Sequence, residues 1–451
     1  MNILEGFFSR LSDLLWGNWL LILLIGLGVF YTIITNGVQI TKIPFIFKSI
    51  IFKSRKESKD NGNSISSFQA LWASLASCVG SGNIVGVSTA ILAGGPGALF
   101  WMWFAAFFGM ATKFGEIVLG IYYREKDENG MYISGPMYYI EKGLKKPWLG
   151  SLVAILLFIQ NAGGTLIQAN TVSSVMEETF MIPKAITGII LAILMFCVIS
   201  GGLKRLVKVS ETVVPIMATI YVVGGLFVIL SYWSMIPDMI KSIFSSAFTL
   251  KAGLGGVYGI TIKEAMRYGV ARGLYSNEAG EGSAAVIHST ADVDHPVRQG
   301  LYGIIQVFVD TMIICSTTGF VVLISGVNQT HTASAATLAA SAFGTVIPQL
   351  GYVVSISLIL FASTSLMSQW YFGHVSLKYL KLKKSTYIYK IIFPMLIIYG
   401  SLVTVNLVWS IQDCALGLLI IPNVIAMIIL SPKVRKLTKE FFDPKNGFIE
   451  K

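Results

Sequence analysis

The sequence predicts an all-α polytopic membrane protein of about eleven spans, arranged as two five-helix repeats of inverted topology behind one extra N-terminal helix. Three observations carry that prediction. Of 451 residues, 54% are hydrophobic and only 13% charged, about half the roughly 25% charge of a soluble domain. Apolar stretches near the ~20 residues that a helix needs to cross the hydrocarbon core recur along the chain. Lys and Arg collect in alternate gaps between those stretches.

The stretches fall at about residues 16–36, 66–93, 97–121, 149–176, 182–202, 209–231, 255–290, 299–327, 347–376, 388–408 and 411–431. The first lacks a small-residue cleavage site and runs into a basic loop, so it reads as a retained signal anchor. Basic residues cluster at 42–59, 124–146, 204–208, 378–384 and 433–439, whereas the alternate loops hold little beyond Lys184, Lys241 and Lys251. The positive-inside rule then puts the N-terminus outside and the C-terminus in the cytoplasm of a plasma (inner) membrane protein. An odd number of spans requires the same. Lys263, Arg267 and Arg272 resist this pattern, lying in the first half of the seventh stretch.

Residues 1–65 form the extra helix and a basic loop, 66–431 a ten-helix core, and 432–451 a basic tail. Lys59–Ser66 is the nearest approach to a linker. The segments 132–144 and 332–343 read as interfacial helices. The net charge of +11 does not indicate nucleic-acid binding, because the basic residues lie between apolar runs and not on one soluble face. Cys78, Cys197, Cys315 and Cys414 all lie in apolar runs without a CxxC pair, and read as small buried packing residues. His288, His295, His331 and His374 show no metal-ligand spacing.

Two stretches contain glycine clusters that an unbroken helix disfavours: CVGSGNIVGVSTAILAGGPG from Cys78 and GLYSNEAGEGSAAVIH from Gly273. Glycine costs a helix interior about 1 kcal/mol relative to alanine. Non-helical backbone at membrane depth persists only where it lines a cavity or is buried in protein. With the first span set aside, the breaks fall in the first and sixth of ten helices. That spacing is expected of inverted five-helix repeats with a site at the midplane. Gly94, Gly95, Gly97, Gly163 and Gly164 read instead as packing or loop glycines.

These residues also carry a resemblance. GSGNIVGVSTAILAGGPGALFWMWFAAFFGMATKFGE (Gly80–Glu116), YGVARGLYSNEAGEGSAA (Tyr268–Ala285) and DHPVRQGLYGIIQVFVDT (Asp294–Thr311) resemble the signatures of the alanine or glycine:cation symporter family. The likeness runs from about residue 66 to 376. It implies a LeuT-type fold and sodium-coupled uptake of a small neutral amino acid such as alanine or glycine. It also implies that Gly80, Ser81, Gly82 and Asn83 meet the substrate, with Gly280 and Gly282 opposite and Gln168 and Asn170 facing the pocket. Sodium, the co-transported ion, would take oxygens of Ala76, Val79, Thr364 and Ser365.

Two departures from the family pattern bear on the substrate. Glu281 stands where relatives have an apolar residue or Gln. Gln369 stands at the place of the family's pocket tryptophan, with Trp370 one position on. One residue turns a helix by about 100°, so Trp370 need not reach the pocket. An amide in place of an indole leaves a larger, more polar site, which brings glutamine in as a longer substrate.

Other ionisable residues leave alternatives open. Asp310 reads either as a cation or proton site or as a partner of Arg267 or Arg272. Lys113 and Glu116, three apart, read as a structural pair. Glu278 reads as a tether of the break more than as a substrate contact. Trp101 and Trp103 suit an aromatic belt. No nucleophile elbow, HExxH or Walker motif is present, so neither an enzyme nor an ATP-driven pump is indicated. The alternative to a symporter is a passive channel or pore. A channel would favour one broken segment per subunit of a symmetric assembly, whereas this chain carries two.

Overall fold

A computed structural model describes residues 3–47, 65–248, 262–330, 335–403 and 406–448. It is built almost wholly of helices: α1 (Ile3–Leu15), α2 (Asn18–Ile34), α3 (Ser67–Cys78), α4 (Val87–Gly94), α5 (Gly97–Tyr122), α6 (Pro136–Leu144), α7 (Pro147–Phe180), α8 (Lys184–Ser200) and α9 (Gly202–Ser231). There follow α10 (Ile236–Phe248), α11 (Ile262–Asn277), α12 (Ser283–His288), α13 (Pro296–Val307), α14 (Ser316–Ile324), α15 (Ala335–Phe343), α16 (Gln349–Tyr379), α17 (Lys383–Leu402) and α18 (Asn406–Phe442). Two-residue strands β1 (Glu125–Lys126) and β2 (Tyr132–Ile133) pair as a small antiparallel hairpin.

Among the described residues, 7 helices are long and apolar enough to cross a membrane, or 9 if each bent pair is one span. The bent pairs are α1–α2 (42°) and α3 with Gly82–Gly94 (54°). Two of the expected stretches fall short by length and composition. Helix α8 has only 17 residues, and α11–α12 is short and carries Lys263, Glu264, Arg267 and Arg272. Residues 255–261 of that stretch lie outside the described residues. So do most of the 59–66 linker, the basic residues Lys48–Lys59, Lys251 and His331.

The broken segments form for local reasons. Ser66 caps α3: its Oγ accepts from Gln69 N–H at 3.2 Å while Gln69 Oε1 accepts from Ser66 N–H at 3.1 Å, a reciprocal capping box. The helix ends where Val79 turns extended, before Gly80. Helix α11 ends at Glu278, held left-handed at φ +54, and Gly280 and Gly282 follow at φ +93 and +85. Glycine tolerates those two angles where other residues strain.

The two broken segments run in opposite directions. Ile65, before the first, bridges Ala291, beyond the second, and Ile65 O accepts from Asp292 N–H at 2.8 Å. At the other end, Gly94 packs on the Glu264–Ala265 backbone. Basic loops gather at the Ile65 end. There Arg124 donates to the carbonyls of Ser289 (3.0 Å) and Ala291 (2.5 Å), Lys378 pairs with Asp127 at 2.7 Å, and Arg298 donates to Phe448 O at 3.0 Å.

Several boundaries move from their expected places. Helix α9 begins at Gly202 and so takes in Lys204, Arg205 and Lys208. Helix α18 runs through Pro432 to Phe442, so residues 432–442 of the expected tail continue the last helix. In the 132–144 segment, Tyr132 and Ile133 are strand and only Pro136 onward is helical. Cys197 is exposed, unlike the other three cysteines, because α8 lies at the outside of the bundle.

Candidate functional site

The first break exposes carbonyls. A helix leaves its last four C=O groups without intrahelical partners, and here Val79 N–H takes only Leu75 O. Ser365 Oγ, from α16, lies 3.3 Å from Ser77 O, 3.4 Å from Val79 O and 3.1 Å from Phe361 O. One hydroxyl proton cannot satisfy three acceptors. Carbonyl oxygens therefore remain available at a buried point, as a hard monovalent cation requires. Thr364 Oγ1, the neighbouring hydroxyl, donates to Phe361 O at 2.9 Å. Ala76 lies buried in the last turn of α3.

Beneath this break sits Asn83. Its Oδ1 accepts from Gly80 N–H at 2.9 Å and its Nδ2 donates to Asp310 Oδ1 at 2.6 Å. Asp310 also accepts from Ser276 Oγ at 3.0 Å and Thr311 Oγ1 at 2.9 Å. Asp310 therefore ties the two breaks together. Among the described residues no ion pair joins it to Arg267 or Arg272; Arg267 meets Asp13 at 3.4 Å instead.

The second break is held by α5. Lys113 Nζ donates to Asn277 O at 2.6 Å, and Glu116 Oε1 accepts from Gly282 N–H and Asn423 Nδ2, both at 2.9 Å. The expected Lys113–Glu116 pair is thus not formed. Each residue is structural, but each serves the backbone of the break. Glu278 Oε2 accepts from Ser283 Oγ at 2.7 Å and Ser77 Oγ at 3.3 Å, tethering the second break to the first.

Between the breaks is a cavity of about 30 Å³, room for one or two waters. Gly80 and Gly82 line it from the first break, and Tyr275, Glu278 and Glu281 from the second. Gln160, Asn161 and Gln168 reach it from α7, Gln369 from α16 and Gln412 from α18. The Oε1 atoms of Gln168, Gln369 and Gln412 are buried without partners, and buried acceptors left so are costly. A ligand bearing N–H donors would satisfy them. A larger cavity of about 390 Å³, lined by Ser81, Thr89, Arg272 and Trp409, adjoins it and shares Gly82 and Tyr275.

The expected site residues divide accordingly. Gly80, Gly82, Gln168 and Gln369 meet at the central cavity, and Ser81 faces the larger one. Asn83 lies below the wall, fully buried and occupied by Gly80 and Asp310. Asn170 turns away and donates to Val403 O at 2.8 Å; residues two apart on a helix point about 200° apart. Gly280 and Gly282 shape the break without lining the cavity. Trp370 lines a separate cavity at the basic end. Gln160, Asn161, Tyr275 and Gln412 were not expected. Gln160 lies about two helical turns before Gln168 on α7, on the same face, which is a legible signal; Gln412 gives none.

Trp101 and Trp103 donate to Ala247 O and Ser316 Oγ, and so anchor α10 and α14. His288 is buried between Gln299 and Gln306, and His295 caps α13.

A family model described as the sodium:alanine symporter family matches residues 1–448. An uncharacterized transporter of Bacillus subtilis, YflA, is 42% identical over 98% of this chain and 94% of its own length. The sodium/alanine symporter AgcS of Methanococcus maripaludis is 38% identical over 96% of each. The probable sodium/glutamine symporter GlnT of Bacillus subtilis is 36% identical over 99% of this chain and 92% of its own. Among solved structures, a manganese transporter of Eremococcus coleocola matches with TM-score 0.51 at 13% identity, covering 84% of this chain and 80% of that one. That last likeness concerns the fold alone.

Proposed function

The chain belongs to the sodium:alanine symporter family, and from that premise we propose that it imports a small neutral amino acid together with sodium by alternating access. The transported amino acid is alanine or glycine, or glutamine as the longer candidate. The observation that carries this reading is the polar cavity between two antiparallel broken helices, beside under-satisfied carbonyls at Ser77 and Val79.

In this reading the substrate carboxylate rests on the backbone amides at Ser81 and Gly82, where a half-helix N-terminus contributes roughly +0.5 charge. The ammonium and any side-chain amide meet Gln168, Gln369 and Gln412. Glu281, only 4% exposed and facing the same cavity, disfavours an anionic side chain. Sodium takes the oxygens of Ala76, Val79, Thr364 and Ser365, and its entry supplies on the order of 2.3 kcal/mol per 100 mV of membrane potential.

The architecture follows as part of the proposal: one extra N-terminal span, then a LeuT-type pair of five-helix repeats, eleven spans in all. The N-terminus lies outside and the basic end faces the cytoplasm. The antiparallel breaks and the gathering of basic loops at one end support both statements. The larger cavity around Arg272 is then the outer vestibule, with Tyr275 between it and the central cavity.

Counterflow in proteoliposomes tests the function. Labelled alanine, glycine and glutamine are offered with sodium, potassium or proton gradients imposed in turn. Accumulation should follow the sodium gradient and saturate. Uptake indifferent to that gradient defeats the coupling, and non-saturable flux defeats the carrier.

A further inference from the structure

We propose that the cavity at the basic end of the bundle is a binding pocket for the phosphate of an anionic lipid headgroup. Its volume is about 270 Å³ and it shares no lining residue with the central cavity. The β1–β2 hairpin, the α8–α9 junction at Gly201–Lys204, one side of α16 and Lys390 of α17 enclose it.

Two features give it a sign. Lys378 and Lys390 line it, and its carboxylate, Asp127, is taken up by Lys378 at 2.7 Å, which leaves the Lys390 ammonium beyond that pair. Trp370, Tyr371 and His374 also line it; their Nε1, OH and Nδ1 are buried atoms without partners, and Trp370 and Tyr371 are only 1% and 3% exposed. An indole N–H donates only, and a phenol and an imidazole can donate as well. Buried donors are ordinarily satisfied. A cavity of this size, lined by side chains with unpartnered donors and by Lys390, suits an oxyanion.

The surroundings point to a lipid as the source. The two helices beside the pocket carry the exposed apolar residues Ile189, Ile190 and Ile193 on α8 and Ile388, Ile391 and Ile392 on α17. Acyl chains can lie on those faces while the headgroup turns inward between them. Basic pockets between spans at a cytoplasmic surface bind such headgroups, and each lysine there contributes about 1 kcal/mol.

The test uses the full chain purified into vesicles of phosphatidylcholine alone or of an equal mixture with phosphatidylglycerol. Phosphatidylglycerol should raise the melting temperature and remain bound through delipidation. Lys390→Gln should weaken that binding about fivefold, equivalent to ~1 kcal/mol. Trp370→Phe should melt below the parent in phosphatidylcholine, because a smaller ring leaves a void at a buried site, and its own gain on adding phosphatidylglycerol should be smaller than the parent's. Equal melting of the parent in both vesicles overturns the proposal, as does a full gain retained by both variants. Inorganic phosphate giving the same rise in phosphatidylcholine overturns the lipid as source. Displacement of the lipid by alanine or glutamine would place the pocket on the substrate path and overturn it too.

Discussion

Lys113 and Glu116, one turn apart on α5, hold opposite sides of the second break: the ammonium takes Asn277 O at 2.6 Å and the carboxylate takes Gly282 N–H at 2.9 Å. The signs match the local dipoles. Asn277 ends α11, where carbonyls favour a cation, and Gly282 precedes α12, where amides favour an anion. A charge three residues from its opposite on one helix therefore serves the backbone of another segment.

Lys113→Met should remove a buried charge-assisted bond and destabilise the protein by about 2 kcal/mol. Glu116→Gln should cost less, since its amide oxygen still accepts from Gly282. Melting temperatures in one detergent, with sodium-driven uptake measured beside them, check the order. A Glu116→Gln protein less stable than Lys113→Met would contradict the assignment.

The Asn83–Asp310 bond at 2.6 Å gives a charge-swap test. Asn83→Asp places two carboxylates side by side and should abolish both stability and uptake. Adding Asp310→Asn to it restores one carboxylate and one amide in exchanged places. The double variant should regain much of the melting temperature lost by the single one. No recovery would mean that the two side chains do not act together.

Ser365→Ala should raise the sodium concentration for half-maximal uptake about tenfold, equivalent to ~1.4 kcal/mol, while the maximal rate at saturating sodium changes little. Gly80→Ala should act more broadly, because its Cβ would lie 2.6 Å from Ser365 Oγ and 3.1 Å from Gln168 Nε2. Titrating uptake against sodium and against substrate separates the two. A Ser365→Ala protein with unchanged sodium dependence would remove that hydroxyl from the ion site.

Much of this is legible in the sequence. Glycine clusters at membrane depth have few structural uses, so the breaks at Val79–Gly82 and Glu278–Gly282 could be read directly, whereas helix ends moved: α9 begins at Gly202 and α18 runs on to Phe442. Side-chain direction was not legible. Gln168 and Asn170 looked like one polar pair, but helix geometry sends only the first to the cavity. Asp310 lay closer in sequence to arginines than to Asn83, and the fold reversed that order. Gln412 belongs to a helix whose register against α7 depends on packing that no local pattern encodes.

Asp127 predicts a pH response outside the membrane. Burial pushes its carboxyl upward, but the Lys378 ammonium at 2.7 Å and the N–H groups of Met131 and Asn129 outweigh that and hold it below its ordinary value. A depressed carboxyl contributes stability that is present above the unfolded value of about 3.9 and lost as pH falls through the folded one. The Asp127→Asn difference in melting temperature should therefore stay constant from neutral pH down to about 4 and vanish only below it. A difference that fades between pH 7 and 5 would show that the Lys378 contact does not control this group.

Selectivity should lie with Gln369. Gly164 on α7 makes room for it, since a Cβ there would come within 2.6 Å of Gln369 Nε2. Gly164→Ala should push that amide into the central cavity and reduce its size. Glycine, the smallest substrate, should then be carried nearly as before, alanine somewhat less well, and glutamine least. Gln369→Ala should do the reverse in size, enlarging the cavity, while removing an acceptor that a side-chain amide would use. It should cost glutamine about 1–3 kcal/mol and leave glycine close to the parent. Competition of the three amino acids against one labelled substrate in the same sodium-driven assay reads both variants together. Equal losses for glycine and glutamine in both would mean that Gln369 supports the fold of α16 and does not discriminate among substrates.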